Sequence, residues 1–271
     1  MRLAPEENAS ATLVGNTNDL RGHWDGDGHY VASDPDAHDR EWRVEARGMG
    51  RIGRSFQYGV IVPWLHTIRR TRDSSSSGGG VGDVSLLGRW DFVKVGGEGD
   101  LPGIAFTMSV GLPTGRSPYK STDTALADVT GSGAWEFRPG IAIEKSWWTG
   151  WYVLAAAGLG FYAPFRGRDD VKIQLGPREL VFVAAGKSWT NGLGLAVGAS
   201  LDRESGPRVD GQRYVAFRAR TSALLFGSYE IDDHWQLTAS SQWDLPVSGL
   251  GRDQLAGLTF GLGIRRAWNV Y

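Results

Sequence analysis

The stretch "GWYVLAAAGLGFYAPF", residues 150–165, constrains the fold most, because it carries no charge yet is too short to cross a membrane as a helix. A transmembrane helix needs about 20 apolar residues. Read with the two-residue period of a β-strand, the stretch has two unlike faces. One face is apolar throughout and aromatic at both ends, and it comprises Trp151, Val153, Ala155, Ala157, Leu159 and Phe161. The sequence therefore predicts a strand whose apolar face meets either a protein core or lipid.

The composition excludes several classes of protein. The net charge of −1 gives no reason to expect a nucleic-acid partner. The mean hydropathy is −0.27, and no apolar run reaches the roughly 18 residues that a helical span requires. The absence of cysteine fits an oxidising compartment managed without disulfides and fits the cytosol equally. The start, "MRLAPEE", has no apolar segment, so we expect any export signal to have been removed.

Runs of alternating residues, rather than amphipathic helices, fill the chain. Clusters of Gly, Asp, Asn, Ser and Pro separate them, as turns separate strands. The twelve runs cover residues 8–20, 41–52, 55–70, 82–95, 103–113, 132–145, 150–163, 173–189, 192–203, 213–230, 234–245 and 254–270.

The connections between the runs alternate in length. Short turns such as Thr190-Asn191 and Asp232-Asp233 alternate with long loops such as "RDSSSSGGG" and "RSPYKSTDTALADVTGS". An even strand count with this alternation is typical of an up-and-down outer-membrane barrel. We therefore predict an all-β protein with one domain over residues 1–271, a transmembrane antiparallel barrel of about 12 strands with both termini at the same end. Residues 1–40 would supply the first strand and a long first extracellular loop.

The tryptophans support this topology, because they cluster at the predicted strand ends. Aromatic belts at the two water–lipid boundaries explain such clustering. Trp24 alone is predicted to lie in a loop. The periplasmic ends would hold Trp90, Trp147, Trp148, Trp151, Trp189, Trp235 and Trp268, and the extracellular ends Trp42, Trp64, Trp135 and Trp243. Trp151 to Phe161 spans about 33 Å along a strand, which a tilt near 45° reduces to about 24 Å, close to the apolar band of such barrels.

A soluble β-sandwich or a lipocalin-like barrel is the alternative, and it would bury the apolar face. The membrane interpretation predicts instead that the following residues are exposed: Val153, Leu159, Leu195, Val197, Leu237 and Leu262. Four cations fall on the same face, all at periplasmic ends where long side chains can reach water: Lys94, Lys145, Lys187 and Arg266. Pro139 lacks a ladder donor, and we expect a local bulge around it.

The opposite face of the runs carries the polar residues. The predicted lumen-lining residues are Arg43, Glu45, Arg47, Arg89, Asp91, Glu136, Arg138, Glu144, Arg218, Arg220, Gln242, Asp244 and Arg265. They could form a polar lumen that tunes selectivity, or a network of charges that fills the barrel, since interior charges must pair. The number of strands does not decide between these two interpretations. A barrel of eight strands has an interior filled by side chains, a barrel of sixteen encloses a water channel, and twelve lies between them. Either way, we expect Arg89, Arg138, Arg218 and Arg220 each to lie near a carboxylate.

Two stretches resemble a known family: "GVGDVSLLGRWDF" (residues 80–92) and "FTMSVGLPTG" (residues 106–115). They are similar to strand segments of the outer-membrane proteins named after the meta-pathway of phenol degradation. The likeness extends in spacing from about residue 41 to the C-terminus. It implies passive movement of small, often aromatic, organic molecules, and it carries over no catalytic residue. The ending "GLTFGLGIRRAWNVY" looks like the closing strand of an outer-membrane barrel, although Tyr271 is out of phase with its apolar face.

Two other candidate sites are weaker. The segment "GHWDGDGHYVASDPDAHDRE" (residues 22–41) could bind a divalent cation through its imidazoles and carboxylates. The spacing of these residues matches no established metal-binding motif. The candidate ligands are His23, Asp25, Asp27, His29, Asp34, Asp36, His38 and Asp39. Barrel enzymes use Ser–His pairs, yet His66 and His234 have no serine at a motif-like spacing, and Ser240 and Ser241 have no neighbouring histidine. The "SSSSGGG" segment reads as a flexible loop rather than a phosphate loop. We therefore predict no catalytic residue, no cofactor and no metal site.

The function expected from the sequence is passive passage of small organic solutes, hydrophobic or aromatic, through the cell's outer membrane. The alternatives are a plugged barrel that acts as a structural or docking partner, and, third, an enzyme that acts on lipids. The expected partners are the lipid bilayer and a small organic solute. No residue pattern names a protein partner.

Overall fold

The computed structural model describes residues 3–4, 7–34, 37–70, 74–95, 101–214 and 217–269. Twelve long antiparallel strands form the barrel, and two short strands, Tyr30–Ala32 and Ser75–Val81, extend the same sheet by pairing with the first and third of them. The twelve are β1 (Glu7–Trp24), β2 (His38–Ile52), β3 (Phe56–Arg70), β4 (Val84–Val93), β5 (Gly103–Leu112), β6 (Glu136–Ser146), β7 (Trp151–Tyr162), β8 (Arg178–Ser188), β9 (Leu193–Ser205), β10 (Phe217–Glu230), β11 (Trp235–Asp244) and β12 (Gln254–Asn269). Within the described ranges, no helix has the length and apolarity to cross a bilayer.

The sheet closes on itself. Each strand pairs with the next along the chain, and β1 pairs with β12, with Glu7 opposite Asn269 and Val14 opposite Gly263. Closure removes the unpaired edges that an open sheet would expose. The first and last strands therefore begin and end at the same rim. The predicted twelve-stranded barrel with both termini at one end is confirmed.

The exterior of the barrel is apolar, as predicted from the alternation. Val153, Leu159, Leu195, Val197, Leu237 and Leu262 are between 42% and 71% exposed. Soluble proteins bury such residues, so this exposure rejects the soluble sandwich and the lipocalin-like barrel. Two of the four cations predicted on this face, Lys187 and Arg266, lie at the periplasmic rim, each over two indole rings.

Three predicted runs begin too early, because their first residues belong to the extracellular loops: 132–145, 173–189 and 213–230. Run 173–189 contains β8 and a separate strand, Lys172–Gln174, interrupted near Pro177. That strand joins a small four-stranded sheet with Phe165–Arg166, Arg208–Val209 and Gln212–Arg213. Ile173 is buried in it. One pairing partner lies in the same loop and the other two lie in the loop between β9 and β10, so alternation within one run could not reveal the boundary.

Trp24 was predicted to lie in a loop, and that prediction is wrong. It is the last residue of β1 and is 1% exposed. Its indole Nε1 donates a hydrogen bond to the carbonyl of Val247 at 3.1 Å. A side chain at Gly251 would collide with the indole ring, so this glycine makes room for it. The loop between β11 and β12 therefore provides the pocket that buries Trp24.

The bulge expected at Pro139 is absent. The register between β6 and β7 runs from Phe137 opposite Phe161 to Gly140 opposite Gly158 without a shift. The two pairs between them are missing from the ladder. Because proline has no N–H to donate, the ladder is interrupted here although no extra residue is inserted.

Candidate functional site

The inner face of β2 carries a chain of three charges along one strand. Residues two apart share a face of a strand, so Arg43, Glu45 and Arg47 lie side by side. The Glu45 Oε1 atom is 2.7 Å from Arg43 Nε, and its Oε2 accepts from Arg47 Nε at 2.8 Å. Glu45 is buried. One carboxylate thus neutralises two guanidinium groups on the wall of the barrel.

A second network connects three strands near the periplasmic rim. Arg89 on β4 donates to Asp91 Oδ1 on the same strand and to Glu144 Oε1 on β6, both at 2.7 Å. Gln57 on β3 donates to Asp91 Oδ2 at 3.1 Å. Arg89 can pass over β5 because the small Ala105 faces inward there. The network therefore follows the curvature of the wall.

A third network centres on Asp244 of β11, a buried carboxylate. Its Oδ1 accepts from Arg220 Nε at 2.7 Å and from Ser222 Oγ at 2.6 Å, while Oδ2 accepts from the Gly257 N–H at 2.8 Å. Gln242 Nε2 donates to Ser222 Oγ at 3.1 Å. Three strands, β10, β11 and β12, are thus linked through one carboxylate.

The remaining predicted residues divide into paired and unpaired arginines. Arg138 pairs with Glu136 two residues earlier on β6. Arg265 on β12 pairs with Glu7 on β1, with Nη1 to Oε1 at 2.8 Å. Arg218 is exposed, and it forms no ion pair with a carboxylate within the described part of the chain. The expected pairing therefore holds for Arg89, Arg138 and Arg220. Arg218, at the start of β10 next to the extracellular loop, lies opposite Glu204 in the register of β9 and β10, so a carboxylate is near it although the two do not form an ion pair.

Sequence reasoning missed one strong pair on the same face. Arg178 on β8 donates through Nε to Asp202 Oδ1 on β9 at 2.7 Å. The alternation of β8 could have revealed this pair. Val181 and Val183 face outward, so the even-numbered residues of β8, including Arg178, face inward. Glu7 and Gln57 were missed too, since Glu7 lies before the predicted first run.

Two cavities lie against this wall. One of about 320 Å³ is lined mainly by polar side chains of β10, β11, β12, β1 and β2, among them Arg43, Arg47, Arg220, Gln242 and Asn16. The other, of about 240 Å³, lies against β2 to β8 and combines arginines with apolar groups. Its lining includes Arg89, Arg138, Met49, Leu87, Leu180 and Phe182. The inner wall therefore has a polar sector and an amphipathic sector.

Leu3 lies at the periplasmic mouth. It is 0% exposed, its N–H donates to Gln57 Oε1 at 2.8 Å, and Arg51 donates to its carbonyl at 3.2 Å. Gln57 and Arg51 lie opposite each other in the register of β2 and β3. Leu3 thus contacts the inner face of the barrel and covers part of its mouth.

The long loop 113–135 is fastened at the extracellular end. Asp83 accepts hydrogen bonds from the N–H groups of Gly115 (2.9 Å) and Ser132 (2.6 Å), near the two ends of the loop. Within the loop, burial raises the pKa of Asp128, but hydrogen bonds from Ser121, Arg116 and Thr122 outweigh it and lower that pKa to about 2. Arg69, an inward residue of β3, donates to the carbonyl of Ala125 at 2.6 Å. The loop is therefore tied to the mouth of the barrel.

The histidine-rich segment uses Asp25 for local structure. The N–H groups of His29 and Asp27 donate to Asp25 Oδ1 at 2.8 and 3.0 Å, and the bond from His29 is the main reason why the Asp25 pKa is lowered. Asp36, like Tyr271, lies outside the described residues. Across the described ranges, no group of three or more His, Asp or Glu side chains is arranged to hold a metal ion. Neither His66 nor His234 is hydrogen-bonded to a serine in the part of the chain that the structure describes.

A family model described as "Putative MetA-pathway of phenol degradation" matches residues 40–261. The chain belongs to this family. The match covers most of the barrel, from the second strand to the middle of the last. A search of curated proteins finds no match.

Solved structures share the fold at low sequence identity. An outer-membrane channel from Pseudomonas putida F1 is 14% identical, with a TM-score of 0.82 over 98% of this chain and 97% of that one. The translocator domain of the autotransporter NalP from Neisseria meningitidis is 12% identical, with a TM-score of 0.52 over 96% and 88%. The KdgM porin is 9% identical, with a TM-score of 0.50 over 96% and 99%. This family member therefore has the fold of an outer-membrane barrel.

Proposed function

We propose that this protein is a passive channel of the outer membrane for small organic solutes, including aromatic ones. The description of the family refers to a pathway of phenol degradation, and the similar structure from Pseudomonas putida is an outer-membrane channel. The exposed apolar exterior supports residence in a bilayer. The predicted lumen-lining residues would then form the inner wall of the solute path.

The main support for the proposal is that the inward ion pairs run along the wall of the barrel rather than across its bore. In the described chain, the inward pairs join residues on one strand, on adjacent strands, or on strands separated by a single strand, as from Arg89 to Glu144. None of these pairs crosses the bore to the opposite wall. A network that filled the barrel would need such crossing pairs. Pairing along the wall satisfies the charges, as an interior requires, and so does not need side chains that span the bore.

The amphipathic cavity supports the solute class. Leu87, Leu180 and Phe182 offer apolar surface, while Arg89 and Arg138, already paired with carboxylates, offer polar groups at its edge. An aromatic molecule with one hydroxyl matches such a lining, because its ring needs apolar contact and its hydroxyl needs a hydrogen-bond partner.

Solute flux separates this function from its alternatives. The barrel, reconstituted in liposomes, should admit phenol faster than a sugar of similar or larger size, and single-channel conductance should be measurable in a planar bilayer. Control liposomes without protein correct for phenol that crosses lipid directly. Protein-dependent phenol entry equal to zero, together with no conductance, would reject the channel.

A plugged docking barrel is the second candidate, and the burial of Leu3 favours it. If the N-terminal segment closes the periplasmic mouth permanently, conductance should be absent in this protein and should appear when residues 1–6 are deleted. A channel that conducts equally with and without these residues rejects a plug of this kind.

A further inference from the structure

The exterior of β1, β2 and β3 changes in character towards the extracellular rim. Outward apolar residues such as Val44 and Val62 come first, followed by the rings of Trp42, Trp64 and His66. His66 stacks between the two indoles, with ring centroids 5.8 Å from Trp42 and 6.2 Å from Trp64. Tryptophan occupies the boundary between hydrocarbon and headgroups. The residues beyond these rings therefore lie at headgroup level.

Three arginines stand at that level: Arg21 on β1, Arg40 on β2 and Arg70 on β3. All three are exposed. In the register, Arg40 lies opposite Ile68 and His38 lies opposite Arg70, which makes Arg40 and Arg70 diagonal neighbours. Diagonal neighbours on one face are about 7–8 Å apart, within reach of long side chains.

One carboxylate lies close to two of these arginines. Asp19 Oδ2 lies 3.7 Å from Arg21 Nε, and its Oδ1 lies 3.9 Å from Arg40 Nη2. Both distances are longer than a hydrogen bond, and both arginine side chains are more than half exposed. The Arg40 guanidinium also lies 5.8 Å from the centre of the Trp42 ring. Arg21 and Arg40 are thus positioned on the surface, while their distances to Asp19 leave donors available for a ligand.

We propose that Arg21, Arg40 and Arg70 bind the phosphates of a phosphorylated glycolipid in the outer leaflet, with its acyl chains against the apolar exterior below Trp42 and Trp64. Guanidinium groups bind phosphate through paired charge-assisted hydrogen bonds. The vertical order of apolar, aromatic and cationic side chains matches the order of acyl chain, sugar and phosphate in such a lipid. The extracellular position selects a glycolipid over a periplasmic-leaflet phospholipid.

The periplasmic rim shows a different arrangement. Lys187 lies 5.3 Å from the Trp151 ring and 5.5 Å from the Trp189 ring, and Arg266 is placed similarly between Trp235 and Trp268. Each is a single cation between two indoles, as expected of a membrane anchor. The group on β1 to β3 instead places exposed arginines on three adjacent strands, two of them near the carboxylate of Asp19.

The triple variant R21Q/R40Q/R70Q tests the site, with diphosphoryl lipid A as the probe in detergent and native mass spectrometry as the readout. Each arginine is expected to contribute about fivefold to affinity, so the triple variant should bind on the order of a hundredfold more weakly than wild type. Monophosphoryl lipid A should bind wild type less tightly than the diphosphoryl form. Migration of the unheated protein on a gel checks that the variant still forms a barrel.

Arg203→Gln is the matched control. Arg203 is exposed near the extracellular end of β9 and lies opposite Glu179, so its charge is already balanced. Its replacement should leave lipid A affinity unchanged. Equal affinity of the triple variant and wild type, or an equal loss on Arg203→Gln, overturns the proposal. Equal binding of phosphatidylglycerol and diphosphoryl lipid A also overturns it, because the arginines would then attract any anionic lipid.

Discussion

Arg89 Nη1 lies 2.7 Å from Glu144 Oε1, although β5 separates their two strands. The side chains of Arg89 and Glu144 are only 8% and 13% exposed. Ala105 makes this contact feasible, since a larger inward side chain on β5 would stand in its path. The pair fixes the curvature of four neighbouring strands, because Gln57 on β3 joins the same network through Asp91.

Replacing Arg89 by Gln should destabilise the barrel by about 3 kcal/mol, because Asp91 and Glu144 would remain as buried carboxylates without their cation. Urea unfolding in lipid vesicles measures this change. Arg203→Gln, at an exposed position, should change stability by less than about 0.5 kcal/mol. Equal effects of the two substitutions would show that the network contributes nothing to stability.

Arg220→Gln tests whether the inner wall faces a conducting path. The substitution removes a positive charge and leaves Asp244 negative, so permeation should shift towards cations, by up to about fivefold if an ion passes 4 Å from the site in water. Reversal potentials in a salt gradient measure the shift. In a plugged barrel the same substitution should lower thermal stability only. If neither property changes, the function must be sought in the extracellular loops.

Val197→Arg tests the membrane-facing exterior. Val197 is 61% exposed near the middle of β9, and an arginine near the bilayer midplane costs about 2–4 kcal/mol in such barrels. Trp148→Arg is the control, because Trp148 is 97% exposed in a turn at the rim, where the cost falls to about 0–1 kcal/mol. Unfolding free energies in vesicles compare the two. Similar values would contradict the placement of Val197 in lipid.

Asp83→Ala should release the loop 113–135. The substitution removes the acceptor for the N–H groups of Gly115 and Ser132, and each hydrogen bond to a charged group contributes about 1.5–3 kcal/mol. Trypsin should then cleave after Arg116 and Lys120 roughly tenfold faster or more. Asp27→Ala, in the first extracellular loop, should leave this cleavage rate unchanged. An unchanged cleavage rate for Asp83→Ala would show that contacts other than those of Asp83 hold the loop in place.

Acid should loosen the same loop. The Asp128 pKa is about 2 in the folded loop, against an ordinary value of 3.8. A carboxyl whose pKa is lowered by folding stabilises the fold above its unfolded pKa, and that contribution is lost as pH falls through the folded pKa. Amide exchange at residues 121–128 should therefore be well protected above about pH 4 and lose protection between about pH 4 and 2. Asp128→Asn should remove this pH dependence.

Local patterns predict much of this fold, and long-range geometry accounts for the rest. Alternation assigns Val153 and Leu159 to the exterior because a strand's period is visible within a few residues. The same reasoning makes the pair of Arg138 and Glu136 visible, since both lie two apart on one strand. The contact of Arg89 with Glu144 depends on the register across β5, and the burial of Trp24 depends on a loop more than two hundred residues later. Neither leaves a signal in its own neighbourhood.

The pairing of Glu7 with Asn269 has a kinetic consequence. One edge of the first strand stays unpaired until the last strand is added. A chain that ends anywhere before β12 therefore exposes two strand edges with unpaired N–H and C=O groups, which can pair with other chains. The closing contact joins segments nearly a full chain length apart, and bringing such ends together is entropically costly and slow. Assembly should therefore depend on chaperones or assembly factors that cover these edges. Deletion of β12 should yield aggregates rather than a smaller barrel.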